Sequence, residues 1–344
     1  MKILVTGAAG FIGSKIACML AERGDEVVGI DNINDYYDIR LKLGRLAENG
    51  IDERALTWHE TVQSSRWPGM RFIRMGIEDK PRLDHLFETE RFDRVVNLAA
   101  QAGVRYSIEN PYAYLTSNIT GFLNLLECCR HYPVSHLLFA SSSSVYGLNT
   151  KAPFSEADKT DQPVSFYAAS KKSNELMAHS YSKLYGIPST GLRFFTVYGP
   201  WGRPDMAPML FARSIMEGKP IQVFNHGDMI RDFTYIDDIA NGSVQCLDQP
   251  PVAEQCPNGV AFKVYNIGCS NPVRLMDFIS ELEQAIGHEA VKVMRPMQAG
   301  DVYMTNADTT RLETEIGYKP HVSLHEGIGY FAEWYKSEKN PLRP

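Results

Sequence analysis

The stretch that decides the fold of this 344-residue chain reads KILVTGAAGFIG and spans residues 2–13. Its first five residues form a mostly apolar run that is typical of a buried parallel strand. Gly7, Gly10 and Gly13 follow, and an apolar pattern at helical spacing begins among them. A second apolar run, Val27–Ile30, completes a strand–turn–helix–strand unit within about 30 residues. Glycines in this context predict a turn that binds the diphosphate of a dinucleotide.

Each glycine of the turn has a separate physical role. Gly7 permits the tight turn, Gly10 lets the backbone approach the diphosphate, and Gly13 lets the helix pack closely on the strand. The helix N-terminus then offers N–H groups and a positive dipole to the phosphates. Asp31 ends the second strand, where a carboxylate bonds both hydroxyls of the adenosine ribose. Because that carboxylate repels a 2′-phosphate and no Arg is adjacent, we expect NAD rather than NADP.

Further apolar runs, separated by amphipathic helical stretches, predict the rest of the sheet. These runs lie at residues 71–75, 94–98, 136–140 and 191–195. The alternation implies an α/β fold with a doubly wound parallel sheet of Rossmann type. Residues 44–70 are polar and irregular, which predicts an inserted surface segment that is partly helical. Pro and Gly become frequent near residue 200, so we expect an NAD-binding domain at 1–198 and a smaller α/β substrate-binding domain at 199–344, with chain excursions between them.

Composition and charge exclude several classes of protein. Lys and Arg number 35 against 41 Asp and Glu, a net charge of −6, so we expect no nucleic-acid partner. No stretch approaches the ~20 apolar residues that span a bilayer, and the N-terminus lacks the pattern of a signal peptide. The six cysteines show no metal-ligand C-x-x-C spacing. We therefore expect reduced thiols, no metal, no membrane association and a cytoplasmic location.

Two polar motifs predict catalysis. Tyr167 and Lys171 form a Y-x-x-x-K pair on one face of a helix. A tyrosine of pKa ~10 is a poor base at neutral pH, but a nearby ammonium and a cationic nicotinamide each favour its phenolate. The run Ser141–Ser144 follows a strand, where parallel sheets bind ligands, and its hydroxyls could hold a sugar hydroxyl or carboxylate. A Tyr packed beneath a Lys on an exposed helix, and a polar turn that caps the sheet, are the structural alternatives.

These motifs together resemble those of the extended short-chain dehydrogenases/reductases, specifically the NAD-dependent nucleotide-sugar epimerases and dehydratases. The matching segments are TGAAGFIG (6–13), NLAAQAGVR (97–105), SSVYG (143–147), the Y-x-x-x-K pair, LRFFTVYGP (192–200) and RDFTYIDD (231–238). They span nearly the whole chain. Within the family, the segment GPWGRPDM at 199–206 is most similar to the UDP-glucuronate 4-epimerases.

The resemblance implies reversible 4-epimerisation of UDP-glucuronate to UDP-galacturonate through a 4-keto sugar, with NAD regenerated in each cycle. It makes Tyr167 the base for the 4-hydroxyl, while Lys171 lowers the pKa of that tyrosine and holds the nicotinamide ribose. Ser142 hydrogen-bonds the sugar O4. The implied NAD contacts are Gly7, Gly10, Phe11, Ile12, Gly13, Asp31, Asn32, Ile77, Leu98, Ala99, Ala100, Asn118, Tyr167 and Lys171.

The resemblance also implies how a UDP-uronic acid is held. A 4-keto uronate tends to lose CO₂, so its carboxylate must be kept out of alignment for cleavage. Arg203 is the best carboxylate partner because a guanidinium grips a carboxylate bidentately. Arg105 contacts substrate or phosphate, or only supports a loop. The other implied substrate contacts are Ser142, Ser143, Ser144 and Thr196 at the sugar, and Val223, Phe224, Arg231, Gln298 and Asp301 at the UDP end.

Four other functions compete with this one. Dehydratases and UDP-glucuronate decarboxylases carry acidic residues near this turn, where the chain has Ser143 and Ser144. A neutral UDP-hexose 4-epimerase is the nearest enzymatic alternative, and a non-catalytic NAD-binding sensor is the alternative from another class. In relatives, helices near residues 111–131 and 167–185 pair across a dimer. Both carry apolar stripes here, so we expect a homodimer, although the stripes fit an intrachain core equally well.

Overall fold

An eight-stranded sheet forms the centre of the structure, a computed structural model that describes residues 1–298 and 302–343. Its strands, numbered in chain order, are β1 (Lys2–Thr6), β2 (Glu26–Asp31), β3 (Thr61–Gln63), β4 (Met70–Arg74), β5 (Arg94–Asn97), β6 (His136–Ser142), β7 (Ser189–Phe194) and β11 (Phe262–Ile267). The spatial order is β11-β7-β6-β5-β1-β2-β4-β3. Every neighbouring pair is parallel except the edge pair β3–β4. The predicted doubly wound α/β class is therefore confirmed.

Helices cover both faces of this sheet. In β1, Ile3 and Val5 are buried on one face, and Leu4 is buried on the other. Since alternate residues of a strand point to opposite faces, burial on both sides produces the continuous apolar runs seen in the sequence. The helices on the first face are α1 (Phe11–Glu22) and α9 (Ile236–Asp248), and those on the second are α3 (Lys80–Glu90), α6 (Phe122–His131) and α7 (Phe166–Tyr185).

The remaining elements build the region that lies mostly after residue 200. A small sheet has the order β12-β10-β8, from β8 (Thr196–Tyr198), β10 (Ile230–Tyr235) and β12 (Pro272–Arg274), and β9 (Ile221–Val223) pairs with β13 (Lys292–Met294). The other helices are α2 (Arg40–Glu48), α4 (Tyr106–Glu109), α5 (Pro111–Tyr114), α8 (Ala207–Met216), α10 (Leu275–Ile286), α11 (Thr310–Ile316) and α12 (Leu324–Lys336). None of the described helices is long and apolar enough to cross a membrane.

The chain crosses between the two regions more than once. After the small sheet has begun, α9 packs beside α1, and β11 then pairs with β7 at the edge of the large sheet. The parts of the chain before and after residue 198 are therefore interleaved in space. The predicted division into domains at 1–198 and 199–344 stays a prediction.

The segment at 44–70 contributes more order than its polar sequence suggests. It contains the end of α2, a 3₁₀ turn at Glu53–Leu56, and β3, which extends the large sheet antiparallel to β4. A three-residue edge strand is too short to show a recognisable alternation. The consequence for function is that α2 packs beside α1, next to the glycine-rich turn.

Candidate functional site

The candidate site lies where the order of strands reverses. In the plane of the sheet, β2 is the neighbour of β1 on one side and β5 is its neighbour on the other side. The chain therefore adds strands in one direction up to β4 and in the opposite direction from β5 onward. In open α/β sheets, ligands bind in the crevice at the carboxyl ends of the strands at such a point. The loops that leave β1 and β5 meet there, since Ala99 N donates a hydrogen bond to the Thr6 hydroxyl at 3.0 Å.

The glycine-rich turn has the dimensions that a dinucleotide requires. Gly7 has a φ of +70°, and a Cβ on it would lie 2.8 Å from the backbone of Leu98 and Ala99. A Cβ on Gly13 would lie 2.1 Å from the Gly7 carbonyl oxygen. Gly10 caps α1 without a side-chain hydrogen bond, so the first N–H groups of the helix are left for a ligand. This cradle fits the diphosphate of NAD.

Asp31 stands at the end of β2, as predicted, with a cation beside it that the sequence argument missed. The buried carboxylate accepts hydrogen bonds from Ile33 N at 2.8 Å and Ala9 N at 3.3 Å. The buried Lys42 ammonium lies 3.3 Å from the carboxylate and 3.0 Å from the amide oxygen of Asn34. Lys42 is not adjacent to Asp31 in the sequence and reaches it because α2 folds back from eleven residues further along the chain.

The other predicted cofactor residues surround the same crevice. Phe11 and Ile12 begin α1, and Leu98, Ala99 and Ala100 follow β5. Asn32 follows β2, and its side chain accepts a hydrogen bond from Asn34 N at 3.1 Å. Ile77 is buried beneath Gly121, where a Cβ would lie 2.6 Å from its Cγ1.

Asn118 lies in a π-helical turn, Leu115–Gly121, between α5 and α6. Its side chain exchanges hydrogen bonds with the backbone of Gln101 at 2.8 and 3.0 Å and donates to the Ser170 hydroxyl at 3.0 Å. Its carbonyl oxygen accepts from the Asn174 amide at 2.6 Å. Asn118 thus joins the loop after β5 to α7, and π-turns are frequent at functional sites.

The phenol of Tyr167, on α7, is influenced by groups from two other parts of the chain. Burial raises the pKa of Tyr167, whereas a hydrogen bond with the Ser142 hydroxyl and the charge of Arg203 lower it. Ser142 is buried at the end of β6 and accepts a hydrogen bond from Ser144 N at 3.2 Å. The ring of Tyr114 packs edge-on to that of Tyr167, with centroids 6.0 Å apart. The arrangement can remove a proton from a hydroxyl held beside a cation.

Lys171 is buried on α7 and contacts the end of β6. Its ammonium donates to the Ala140 carbonyl oxygen at 2.9 Å, and burial lowers its pKa to about 8. The motif assigned to Lys171 the lowering of the Tyr167 pKa. Burial raises the pKa of Tyr167 overall, and the Ser142 hydroxyl of β6 and the charge of Arg203, from the loop before α8, act to lower it. The effect of Lys171 on that pKa stays a prediction.

Arg203 is held in place by two residues that the sequence argument did not single out. Its Nε and Nη2 donate to the Asp205 carboxylate at 3.1 and 2.5 Å. The Tyr36 hydroxyl donates to the same carboxylate at 3.1 Å. Although burial acts to raise it, the neighbouring guanidinium holds the pKa of Asp205 below its usual value. The sequence signal for this role of Asp205 is its position two residues after Arg203, within the segment 199–206.

A buried ion pair seats α7 against the sheet. The Arg193 guanidinium of β7 donates to the Glu175 carboxylate through Nε at 2.8 Å and Nη2 at 2.9 Å. Their side chains are 4% and 3% exposed. The Ser141 hydroxyl also donates to Glu175 at 2.6 Å, and Arg193 donates to the Tyr146 hydroxyl at 3.0 Å. Since Glu175 is one helical turn beyond Lys171, the pair sets the position of Tyr167 and Lys171 over β6.

The residues predicted for the UDP end come from two parts of the chain. The Arg105 guanidinium lies over the Phe224 ring, 5.5 Å from its centroid, so the loop after β5 touches the region beyond residue 200. Val223 is fully buried at the end of β9. The Arg231 guanidinium donates to the carbonyl oxygens of Ile230 and Tyr303 at 2.9 and 3.0 Å.

Five further substrate residues are predicted at the sugar end and the nucleotide end of the cleft. Thr196 is half-buried at the start of β8, and Ser143 and Ser144 are half-buried in the 3₁₀ turn after β6. The buried Oε1 of Gln298 has no hydrogen-bond partner in the described part of the chain, which ends at this residue and resumes at 302. Asp301 lies outside the described residues.

Comparison with known proteins agrees with this geometry. Residues 3–268 match the model of the NAD dependent epimerase/dehydratase family. The chain is 48% identical to UDP-glucuronate 4-epimerase 3 of Arabidopsis thaliana, over 97% of this chain and 76% of that protein. It is 45% identical to a probable UDP-glucuronate 4-epimerase of Rhizobium meliloti, over 97% of both. A crystal structure of UDP-glucuronic acid 4-epimerase from Bacillus cereus, in complex with UDP-glucuronic acid and NAD, matches with a TM-score of 0.84 at 35% identity and covers 97% of this chain and 98% of that one.

Removing one member of the buried ion pair should destabilise the protein strongly. In Glu175→Gln the Arg193 charge stays buried without its carboxylate, and we expect a loss of about 3–5 kcal/mol in the free energy of unfolding. Urea denaturation measures it. The control is Asp38→Asn, which breaks the exposed pair between Asp38 and Arg40 and should change the midpoint little. Equal effects of the two substitutions would contradict the assigned role of the buried pair.

Proposed function

Because the chain belongs to the NAD dependent epimerase/dehydratase family, we propose that it is an NAD-dependent UDP-glucuronate 4-epimerase. It would interconvert UDP-glucuronate and UDP-galacturonate. The observation that carries this proposal is the Tyr167 phenol, which hydrogen-bonds with the Ser142 hydroxyl and feels the charge of the Arg203 guanidinium. That arrangement combines a base, an anchor for the sugar O4 and a cation for a carboxylate. The name shared by several relatives at 45–48% identity supports the same substrate.

The reaction begins with removal of a proton from the sugar 4-hydroxyl. Tyr167 is the proposed base, and Ser142 hydrogen-bonds O4 and orients it toward the phenolate. The charge of Arg203 favours that phenolate. Bound NAD takes the hydride from C4 and later returns it to the opposite face of the sugar. Between these steps the 4-keto sugar turns about its diphosphate linkage, and Tyr167 returns the proton to O4.

The carboxylate of the substrate must be restrained while the sugar is a 4-keto acid. Arg203 donates through Nε and Nη2 to Asp205, and its guanidinium also neighbours the Tyr36 hydroxyl. Its Nη1 is then available to the uronate, with Ser143, Ser144 and Thr196 as further donors. A guanidinium held by Asp205 and Tyr36 cannot follow the carboxylate into an arrangement that releases CO₂. The turn also lacks an acidic residue at 143 or 144 that would assist elimination.

The nucleotide end of the substrate has its own proposed partners. Arg231 would pair with the diphosphate and Phe224 would lie against uracil, with Val223, which is fully buried, supporting Phe224 from the core. Gln298, whose buried carbonyl oxygen has no partner among the described residues, would bond the ribose together with Asp301. Arg105, stacked on Phe224, would stiffen the uracil side of the cleft and bring a positive charge toward the diphosphate.

Product analysis with a single conservative variant tests the proposed reaction. Purified protein with UDP-glucuronate and no added reductant should form UDP-galacturonate, measured by chromatography. Tyr167→Phe should lose about 10²–10⁴-fold in turnover, because a general base contributes that much, while its NAD content stays unchanged. The exposed Tyr330→Phe is the matched control. A UDP-pentose product would indicate a decarboxylase, and NAD binding without any turnover would favour the sensor hypothesis.

Arg203 decides between a uronate and a neutral sugar. Loss of a charge-assisted hydrogen bond in Arg203→Gln should lower kcat/KM for UDP-glucuronate relative to UDP-glucose by about tenfold or more. Because Arg203 lowers the pKa of Tyr167, the acidic limb of the pH–rate profile should also move to higher pH. Arg213→Gln, at an exposed arginine, is the control. An unchanged ratio between the two sugars would favour the neutral UDP-hexose 4-epimerase.

A homodimer through the helical stretch 111–131 and α7 is part of the proposal. These helices leave an exposed apolar surface formed by Tyr112, Leu115, Leu123, Leu176, Leu184 and Tyr185. Leu176 and Leu184 are 60% and 66% exposed, whereas Phe122 and Leu126 on the same stretch belong to the core. An apolar surface of this kind on a folded protein usually marks an interface. A second copy of the chain would cover it with the same two helices.

Light scattering after gel filtration tests the dimer. We expect the parent protein to have twice the mass of one chain and Leu184→Glu to have the mass of one chain, because a charge on the interface must be desolvated. Val291→Glu, which changes an exposed residue of the other region, should remain dimeric. A parent protein with the mass of a single chain would refute this part of the proposal.

We further propose a cytoplasmic location. All six cysteines are free thiols in the structure, and Cys128, Cys129, Cys246 and Cys256 are buried. Unpaired thiols fit a reducing compartment.

A further inference from the structure

A buried arginine on α2 joins two loops that belong to different parts of the site. Arg45 is 2% exposed. Its Nη1 donates to the Ala9 carbonyl oxygen, in the glycine-rich turn, at 3.1 Å. Its Nε and Nη2 donate to the Trp201 carbonyl oxygen at 3.0 and 2.6 Å, and Nη2 reaches the Gly202 carbonyl oxygen at 3.4 Å. One guanidinium therefore contacts both the cofactor turn and the loop that continues into Arg203.

The charge of Arg45 has no carboxylate partner among the described residues. Its acceptors are the three carbonyl oxygens and the Tyr37 hydroxyl at 2.7 Å. Lys42, one helical turn earlier, pairs with Asp31, which also accepts the Ala9 N–H. The Ala9 N–H and carbonyl groups are thus both held, by Asp31 and Arg45. Together with Lys42, these two residues carry one net positive charge beneath the diphosphate cradle. An anionic diphosphate would balance a buried cation that the protein leaves uncompensated.

Trp201 shows that the second loop is held firmly against α2. Its φ is +63°, a left-handed conformation that bulky residues rarely adopt. Its ring lies on Gly44, where a Cβ would be 2.4 Å from Cζ3, and packs 5.2 Å from the Trp334 ring. Arg45 therefore fixes the carbonyl of Trp201 and Gly44 receives its ring. Arg203 follows two residues later, so its position depends on this contact.

We propose that Arg45 is a positioning residue that couples the cofactor turn to the grip of Arg203 on the substrate carboxylate. It touches neither substrate nor the reacting atoms and acts through Ala9 on one side and Trp201–Gly202 on the other. NAD in the cradle orders the turn, Arg45 transmits that order, and Arg203 is presented beside Tyr167. The carboxylate part of this inference rests on the proposed function.

Two variants of α2 separate the contributions of charge and shape. Arg45→Gln removes the charge and most of the hydrogen bonds to both loops. Gly44→Ala keeps Arg45 but displaces the Trp201 ring, and it should not harm folding because Ala is the better helix former. Arg40→Gln is the matched control on the same helix, since Arg40 is exposed and pairs only with Asp38 among the described residues. Melting temperatures verify that each variant is folded.

Calorimetric titration of the NAD-bound proteins gives a readout besides activity. Both variants should bind UDP-glucuronate about tenfold or more weakly, since hydrogen bonds to a charged group are lost or displaced. UDP-glucose, which has no carboxylate, should bind nearly as before. NAD should dissociate faster from Arg45→Gln and at the parental rate from Gly44→Ala. Equal weakening for both sugars, or no change in either variant, would overturn the proposal.

A double-mutant cycle tests whether Arg45 acts through Arg203. In an Arg203→Gln background, Arg45→Gln should weaken UDP-glucuronate binding much less than it does alone, because the group it positions is already gone. Additive losses would mean that Arg45 acts independently and would overturn the coupling. If the parent protein fails to convert UDP-glucuronate, the proposed function is wrong. The NAD dissociation rate of Arg45→Gln still tests whether Arg45 supports the cofactor turn. An unchanged rate would overturn that part of the proposal.

Discussion

The buried ion pair between Glu175 and Arg193 is the constraint on which the candidate site depends. Two opposite charges in a water-excluded position are stabilising only in good geometry with their remaining hydrogen bonds satisfied. Ser141 and Tyr146 satisfy them here. A slide of α7 along the sheet would leave the buried Arg193 without its carboxylate, whereas Glu175 would keep only Lys172 of its own helix, so one position of the helix is favoured. The alignment of the proposed base with the end of β6 follows from that position.

A second constraint is the distribution of positive charge. The whole chain is acidic, with a net charge of −6, so it has no general attraction for anionic ligands. Lys42 and Arg45 are buried beside the dinucleotide cradle, and Arg203 stands beside Tyr167. Asp31 and Asp205 hold two of these cations in fixed geometry. Specificity for anionic ligands therefore comes from a few oriented cations at the crevice.

The parts of the fold that could be predicted are those whose signal is local. Burial on both faces makes the central strands continuous apolar runs, and the spacing of Gly7, Gly10 and Gly13 matches a backbone that admits no Cβ at the turn. The edge strand β3 escaped prediction because three residues carry too little pattern. Asp205 lay within a quoted motif, but only its contact with Arg203 reveals its use.

By itself the sequence determined the doubly wound fold, the dinucleotide turn and the residue types available for catalysis, because each depends on neighbours within one strand–helix unit. Only the tertiary structure decided which charges act on which groups. Lys42 reaches Asp31 and Arg45 reaches Trp201 because α2 folds back against the crevice. The charge of Arg203 acts on the phenol of Tyr167 although the two residues lie on separate elements of the chain. Electrostatic effects depend on distance through space, and contacts between residues far apart in the chain leave no periodicity in the sequence.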